Sequence, residues 1–454
     1  MKIIIVGDGK MGFALSQKLS GEGHDIVMID ENPDVLRLSS NTQDVGCICG
    51  NGVDIDIQKE AGVSTADLMI AVTSRDEVNI ICCLLAKKLG ARHTIARVRG
   101  PEYIKSTLFM REELGLSMSI NPEKATAREI ARVLRFPTAM KLESFSKGRL
   151  ELVEYRLPEN SALHGMQLSD LYRNIRVRVL ICAVSRRDET YIPSGDFVLQ
   201  AGDKIYLTAA PHELEHFFRH LGVFRGRASW VMIVGASKLC YYLASQLIDM
   251  GMSVKIVDQN RQRCVDIEER LPKALVIVGD GTDSELLQEE GIGQIDAFVA
   301  ITGLDEANIL MSMSAARQSR DCKVVAKINR RSLMELVSTE GMIDSVVSTG
   351  AVTTELILKY IRSMKNATGS QVKTLHRIVD EKVEALEFGI KENYPFVGVP
   401  LRDLRIKSGI LVAGIVRRSG RIVIPTGDDV INQGDDVIVV ATDTGIQDIR
   451  DIFQ

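Results

Sequence analysis

The chain opens on an uninterrupted apolar run, Ile3 to Val6, then GDGKMG (Gly7 to Gly12) and a segment with apolar positions at helical spacing that ends near Gly21. A run without polar alternation is the pattern of a strand buried on both faces. The grammar repeats: Ile26 to Ile29, Val45 to Cys49, Leu68 to Val72, Thr94 to Val98 and Ser117 to Ile120 read as further strands. Amphipathic helices stand between them, as in Val78, Ile81, Cys82, Leu85 and Leu89. Strands joined by single helices require right-handed crossovers, so the expected fold is α/β, with a Rossmann-like, doubly wound parallel sheet. From about Phe136 the period changes. Leu150 to Leu157, Val177 to Val184 and Lys204 to Thr208 read as short strands, with turns at Arg187-Asp188, Ser194-Gly195-Asp196 and Ala201-Gly202-Asp203 and a closing helix from His212 to Leu221. These features predict a small α+β module.

The whole pattern then restarts. Gly235 lies 228 residues after Gly7, and Asp258 lies 228 after Asp30. GDGT (Gly279 to Thr282) follows GNGV (Gly50 to Val53) by 229, and TGLDEAN (Thr302 to Asn308) follows TSRDEVN (Thr73 to Asn79) by 229. PTGD at Pro425 answers PSGD at Pro193 at 232. Offsets this constant mark a tandem duplication. Four domains are expected: residues 1–135 and 228–362 as Rossmann-like domains, each followed by a small α+β domain at 140–222 and 372–454. Breaks are expected near 135–150, 222–229 and 362–374, the last with a flexible linker from Asn366 to Ser370.

A length of 454 residues exceeds what one core supports, and 45% hydrophobic with 26% charged residues describes an ordinary globular chain. The net charge of −4 gives no global reason to expect nucleic acid or an anionic membrane as partner. The N-terminus enters a strand at once and no uncharged apolar run approaches the ~20 residues of a bilayer span, so a cytoplasmic location is expected. The eight cysteines include no Cys-x-x-Cys pair and mostly sit in apolar patterns. Cys47 and Cys49 fall on one side of a strand, where core packing competes with a metal or redox role.

The opening stretch carries the candidate chemistry. Strand, glycine turn, helix and a second strand ending in an acid form the dinucleotide fingerprint in its full setting. Gly7 allows the tight turn, Gly9 lets the backbone approach a pyrophosphate, and Gly12 lets the helix pack close to the strand. With Asp8, Lys10 and Met11 between these glycines, the helix N-terminus offers free N–H groups and partial positive charge to phosphates. Asp30, eighteen residues after Gly12, stands where a carboxylate accepts from both ribose hydroxyls and repels a 2′-phosphate. Ligands in such sheets lie beyond the strand C-termini, where Asn51, Thr73, Ser74 and Arg97 also fall. Arg97 suits phosphate or adenine stacking, or else an ion pair with Glu102 or Asp76. In the repeat, Gly235, Lys238 and Leu239 keep the places of Gly7, Lys10 and Met11, while Ala236, Ser237 and Cys240 replace Asp8, Gly9 and Gly12. Asp258, Asp280, Thr302 and Lys327 stand for Asp30, Asn51, Thr73 and Arg97. The second site therefore reads either as a nucleotide site with another pose or as a scaffold.

His212, His216 and His220 share one predicted helix face but span about 12 Å, too far for one ion, so no metal site is expected. Walker-type, Gly-x-Ser-x-Gly and His-Glu-x-x-His motifs are absent, and no catalytic residue set is visible. A nucleotide domain without catalytic machinery points to a nucleotide used as a signal.

KIIIVGDGKMG with Asp30, GNGVD, AVTSRDEVN, IARV and INPE, followed by an α+β module with PSGD and AGDK, resembles the regulator-of-potassium-conductance domains, also called potassium transport nucleotide-binding domains. Two such pairs in one chain resemble the peripheral subunit of a potassium uptake system. The resemblance implies that the matched residues named above bind NAD or NADH, and in some members ATP or ADP. It implies a homo-oligomeric ring of eight domains, hence a tetramer, beneath a membrane potassium-translocating subunit, and no enzyme activity. The alternatives are regulation of another potassium channel or efflux system, and an NAD-dependent dehydrogenase, which would need an acid or base beside the nicotinamide.

Overall fold

A computed structural model describes the chain apart from residues 104–108, 111–114, 136–140, 176, 188, 224–227, 320–321, 341–342, 367–371, 380–381, 392–393, 443–445 and 447. The first apolar run is β1 (Lys2–Val6), buried from Ile3 onward. It pairs in parallel with β2 (Asp25–Asp30) on one side and β4 (Leu68–Ala71) on the other. With β3 (Gly46–Cys49), β5 (His93–Arg97) and β6 (Met118–Ile120) the sheet order is β3-β2-β1-β4-β5-β6, all parallel. The helices α1 (Lys10–Gly21), α2 (Pro33–Thr42), α3 (Ile55–Glu60), α4 (Asp76–Leu89) and α5 (Pro122–Arg135) alternate with the strands. The order reverses between β1 and β4, and that reversal opens a crevice at their C-terminal ends.

The small module is an antiparallel sheet in the order β10-β9-β11-β8-β7. Its strands are β7 (Lys141–Phe145), β8 (Leu150–Arg156), β9 (Leu180–Arg186), β10 (Glu189–Tyr191) and β11 (Lys204–Ala209), with α6 (Leu168–Ile175) and α7 (Pro211–His220). Tyr155, Phe217, Phe218 and Leu207 anchor the core on one face. Three elements escape sequence reading. β10 spans three residues and α6 eight, too short for periodicity to register. β7 hides because its central Glu143 looks solvent-facing and is 5% exposed. The expected strand start at Val177 moves to Leu180, after a tight turn in which Val179 donates to the Val177 carbonyl. Asp188 of the expected Arg187-Asp188 turn lies outside the described residues.

The second half repeats both designs. A parallel sheet β14-β13-β12-β15-β16-β17 is built from β12 (Trp230–Val234), β13 (Ser253–Asp258), β14 (Leu275–Val278), β15 (Ala297–Ala300), β16 (Lys323–Lys327) and β17 (Ser345–Val347). Its helices are α8 (Lys238–Asp249), α9 (Arg261–Arg270), α10 (Ser284–Glu289), α11 (Asp305–Gln318), α12 (Arg331–Glu340) and α13 (Thr349–Asn366). The second antiparallel sheet, β18-β19-β22-β20-β21, comprises β18 (Val372–Ile378), β19 (Val383–Gly389), β20 (Ile410–Val416), β21 (Ile422–Val423) and β22 (Asp436–Ala441).

By contact the chain forms two compact units. One holds both parallel sheets (residues 1–131 and 229–356) and the other both antiparallel sheets (132–228 and 357–454). Two of the three unit limits fall inside α5 and α13, and α13 runs on to Asn366, so the first residue of the expected linker is helical. Residues 367–370 of that linker, with 136–140 and 224–227 of the other expected breaks, lie outside the described residues. Within the first unit, Tyr242 on α8 joins the two sheets: its hydroxyl donates to the Arg99 carbonyl at 3.1 Å and accepts from Asn121 Nδ2 at 3.0 Å. Among the described residues no helix is long and apolar enough to cross a membrane.

One close approach sets the geometry of the crevice. A Cβ added to Gly12 would stand 1.9 Å from the Gly7 carbonyl oxygen, whereas a Cβ on Gly9 would meet nothing within 4 Å. Gly12→Ala is therefore expected to destabilise the chain by about 1–3 kcal/mol, lowering Tm by about 2–4 °C per kcal/mol. Gly9→Ala, at φ −70°, should leave Tm unchanged. Thermal unfolding of the two variants checks the contrast, and equal Tm values would refute it.

Candidate functional site

The first turn leaves β1 at Gly7, where φ of +100° is a left-handed conformation that glycine adopts without penalty, and enters α1 at Gly9. Gly9 caps the helix without a side-chain hydrogen bond, so the first-turn amides are not taken up by a capping side chain. Such amides at a sheet switch point attract anions. Asp30, at the end of β2, faces this turn. Its Oδ2 accepts from the Asp8 amide at 2.7 Å and its Oδ1 from the Asn32 amide at 2.8 Å. Each carboxylate oxygen keeps a further lone pair, so the group can hold the loop and still accept hydroxyl donors.

Asp8 itself turns inward. It is 3% exposed, and its Oδ2 accepts from Ser39 Oγ of α2 at 2.6 Å, while Oδ1 has no partner. Burial pushes its carboxyl above the usual range, and the nearby Asp30 adds to this against the Ser39 hydrogen bond. Asp8 thus positions α2 against the turn, while Lys10 is exposed at the start of α1 and Met11 half-buried beside it.

The rim opposite is built on β4 and β5. Asn79 of α4 organises it: its Oδ1 accepts from the Thr73 amide at 2.8 Å and Thr73 Oγ1 at 2.7 Å, and its Nδ2 donates to the Thr73 and Arg97 carbonyls. Sequence reading missed Asn79, although the recurrence of TSRDEVN as TGLDEAN marked the position. Ser74 is exposed, and its carbonyl accepts from Arg99 Nη2 at 2.6 Å. Asn51 Oδ1 accepts from the Val53 amide at 3.0 Å, so this side chain shapes its own loop.

Arg97 resolves the choice left open by its sequence position. Asp76 is taken by the Arg99 and Gly100 amides, each at 2.9 Å, and by the Arg99 guanidinium at 3.7 Å. Among the described residues Arg97 forms no ion pair. Its Nη1 reaches the Val72 and Thr73 carbonyls at 3.5 and 3.3 Å, and its buried Nε has no partner. Burial and the adjacent Arg99 lower its pKa. A guanidinium held this way favours an incoming anion.

The second site is built alike and finished differently. Asp258 Oδ2 accepts from the Ala236 amide and Oδ1 from the Asn260 amide, both at 2.7 Å, and Asp258 is 9% exposed. Ser237 caps α8 with its own side chain, accepting from the Cys240 amide at 3.5 Å, while its amide donates to the Gly235 carbonyl at 3.1 Å. Cys240 is fully buried where the first half has Gly12. Thr302 and Asn308 reproduce the Thr73–Asn79 pair at 2.6 Å, and Asp280 accepts from the Thr282 amide and hydroxyl. Leu239 is buried, and Lys238 lies close enough to Glu77 of the first sheet to help hold that carboxyl low, behind the Tyr103 hydroxyl as the main cause. Lys327 Nζ donates to the Ile301 carbonyl at 3.3 Å, and burial lowers its pKa.

Cys49 stands beside Asp30 in the register of β2 and β3, and burial, with Asp8 adding to it, holds the Cys47 thiol above its ordinary pKa. Cys47 and Cys49 donate weakly to the Leu36 and Glu31 carbonyls, on the same side of β3. His212, His216 and His220 are exposed on α7.

Family models match the chain twice over: TrkA-N domain at residues 3–122 and 231–349, and TrkA-C domain at 152–222 and 385–454. The Trk system potassium uptake protein TrkA of Halomonas elongata is 34% identical over all of this chain and 99% of its own length. The chain belongs to the TrkA family. A second relative, Trk system potassium uptake protein TrkA homolog 1 of Methanosarcina mazei, is 33% identical over the full length of both chains. The fold of this TrkA-family chain also matches the solved structure "GsuK channel bound to NAD", with a TM-score of 0.63 over 97% of this chain and 76% of that one, at 19% identity. The tandem Rossmann-like and α+β design read from the repeat offsets is thus the design of the family.

The buried Asp8 gives a pH test. A carboxyl whose folded pKa is raised weakens folding above that pKa and contributes nothing below its unfolded value. Asp8→Asn removes this cost and keeps an acceptor for Ser39. It should raise Tm at pH 7.5, with the gain vanishing as pH falls toward 3.8, the ordinary value for aspartate. Thermal scans across that range check it, and a gain that grows with acidity would contradict it.

Proposed function

We propose that this TrkA-family chain is a nucleotide-binding regulatory subunit of a potassium uptake system. In this reading it gates a TrkH- or TrkG-like membrane potassium-translocating subunit in response to NAD(H), ATP or ADP, from the cytoplasmic face of the membrane. The observation that carries the reading is the first crevice. An uncapped helix N-terminus, a strand-end carboxylate and a half-buried guanidinium with no ion pair among the described residues, all on the C-terminal edge of one parallel sheet, support it.

Each group has one task. The amides after Gly9 hold phosphate oxygens, Asp30 accepts from the ribose hydroxyls, and Arg97 supplies the charge that the phosphates need. Asp30 reads the shared adenosine portion, so it does not discriminate NAD from ATP. Discrimination falls to groups beyond it, and a ligand shifts the subunit between two shapes only by its difference in affinity for them. Four chains supply eight Rossmann-like domains for a closed ring, which is the tetramer proposed here. The self-capped Ser237 turn and the more buried Asp258 support a lower affinity for the second crevice.

Calorimetric titration of the purified chain with NADH, NAD, ATP and ADP tests the proposal. We expect one tight site per chain and no turnover of NADH. Charge-assisted hydrogen bonds contribute about 1.5–3 kcal/mol, so Asp30→Ala and Arg97→Ala should each weaken binding by about 10-fold to 150-fold. Unchanged affinity in both variants, with folding verified by thermal unfolding, would remove the site.

A further inference from the structure

The two antiparallel sheets share one compact unit and pack through the faces opposite their separate cores, which hold Phe217 in the first module and Phe388 in the second. Phe145, Leu150, Leu152, Tyr206, Val383 and Ile438 contribute to that joint core. Equivalent positions are set by strand register. β8 begins at Leu150 and β19 at Val383, an offset of 383 − 150 = 233. Glu143 pairs with Leu152 in register and His376 with Ala385, so Glu143 and His376 are the same position in the two modules (376 − 143 = 233). Ser146 and Val379 likewise correspond (379 − 146 = 233), and both hold the same positive φ, 48° and 52°.

Glu143 and His376 meet each other. The carboxylate lies 2.6 Å from His376 Nδ1, and His376 Nε2 lies 3.2 Å from the Ser144 carbonyl. The two residues are 5% and 3% exposed, with Lys359 Nζ 3.1 Å from Nδ1 and Phe145 edge-on to the ring. A position that touches its own equivalent lies on a local two-fold axis. Away from the axis, Ser146 donates its hydroxyl to Glu387 at 2.7 Å, and Glu387 is 3% exposed. At the symmetry-related place the donor position is Val379, which has no hydroxyl.

We propose that this surface is matched to an unlike partner: it pairs a first module with a second module and rejects pairing between two of the same kind. The apolar face cannot make that choice, because both modules carry it. The polar groups can. Two first modules would bury Glu143 against Glu143. Two second modules would set His376 against His376 and leave Glu387 facing valine without its hydroxyl donor. Buried like charges and unpaired carboxylates are strongly disfavoured, which makes them effective against wrong partners. A duplicated chain needs such a device, since every chain brings two copies of the same apolar face.

The test is a charge exchange in the full-length chain, read by thermal unfolding at pH 7. Glu143→His and His376→Glu each place like groups on the axis and should lower Tm by at least about 5 °C. The double variant E143H/H376E restores complementarity and should return Tm to within about 2 °C of the parent. If both single variants fail to yield folded chain, a folded double variant is the rescue expected. A double variant no better than the worse single variant, or single variants with unchanged Tm, would overturn the proposal. The readout is independent of nucleotide, so its failure and failure of the ligand proposal are separable.

Discussion

A single hydrogen bond recurs at both crevices and the rest of each site depends on it: the carboxylate at the end of the second strand accepts the first amide after the glycine turn. Asp30 takes Asp8 N in one half and Asp258 takes Ala236 N in the other, each at 2.7 Å. A parallel sheet pairs strands only along their length, so nothing in the ladder fixes where the chain goes once it leaves β1. The carboxylate supplies that restraint. It ties the turn to the neighbouring strand and sets where α1 begins. The acid is therefore a structural latch in both halves, and it recurs in a second half that has lost two of its three glycines.

Divergence between the halves follows from what was placed on this shared latch. Gly9 and Gly12 leave the first helix N-terminus bare and let it approach the Gly7 carbonyl closely. Ser237 and Cys240 fill the same space with a hydroxyl cap and a buried thiol, which burial pushes well above its ordinary pKa. A capped N-terminus has already satisfied part of the demand that draws anions. Yet the second half stays connected to the first. Tyr242, one turn into α8, reaches the Arg99 backbone, and Arg99 in turn holds Asp76 and Ser74 at the first rim. That contact ties the first turns of α8 to the rim of the first crevice.

What the sequence reveals here is local in its physics. Glycine turn, strand-end acid, apolar strands and duplication all depend on neighbours a few residues away or on exact recurrence, so they can be read directly. The rest depends on partners distant in the chain. Whether Arg97 or Arg99 owns Asp76 is decided across 20-odd residues of intervening structure, by backbone amides that carry no sequence signature. Asn79 serves the rim through carbonyls of two strands, which a side chain cannot advertise. By contact, like modules of the two halves collect into two units, because apolar faces find each other regardless of chain order.

Glu143 shows why such residues mislead. In KLESF it interrupts an otherwise readable strand, and a solvent-facing role is the natural inference from composition alone. Its burial makes sense only once His376, 233 residues on, is placed opposite it. A buried charge adds little net stability even when paired, because desolvation offsets most of the attraction. An apolar pair on the same axis would serve cohesion as well and would accept any copy of the module. Retaining a charge on the axis therefore argues for discrimination: the cost falls on every pairing, and only the unlike one recovers it.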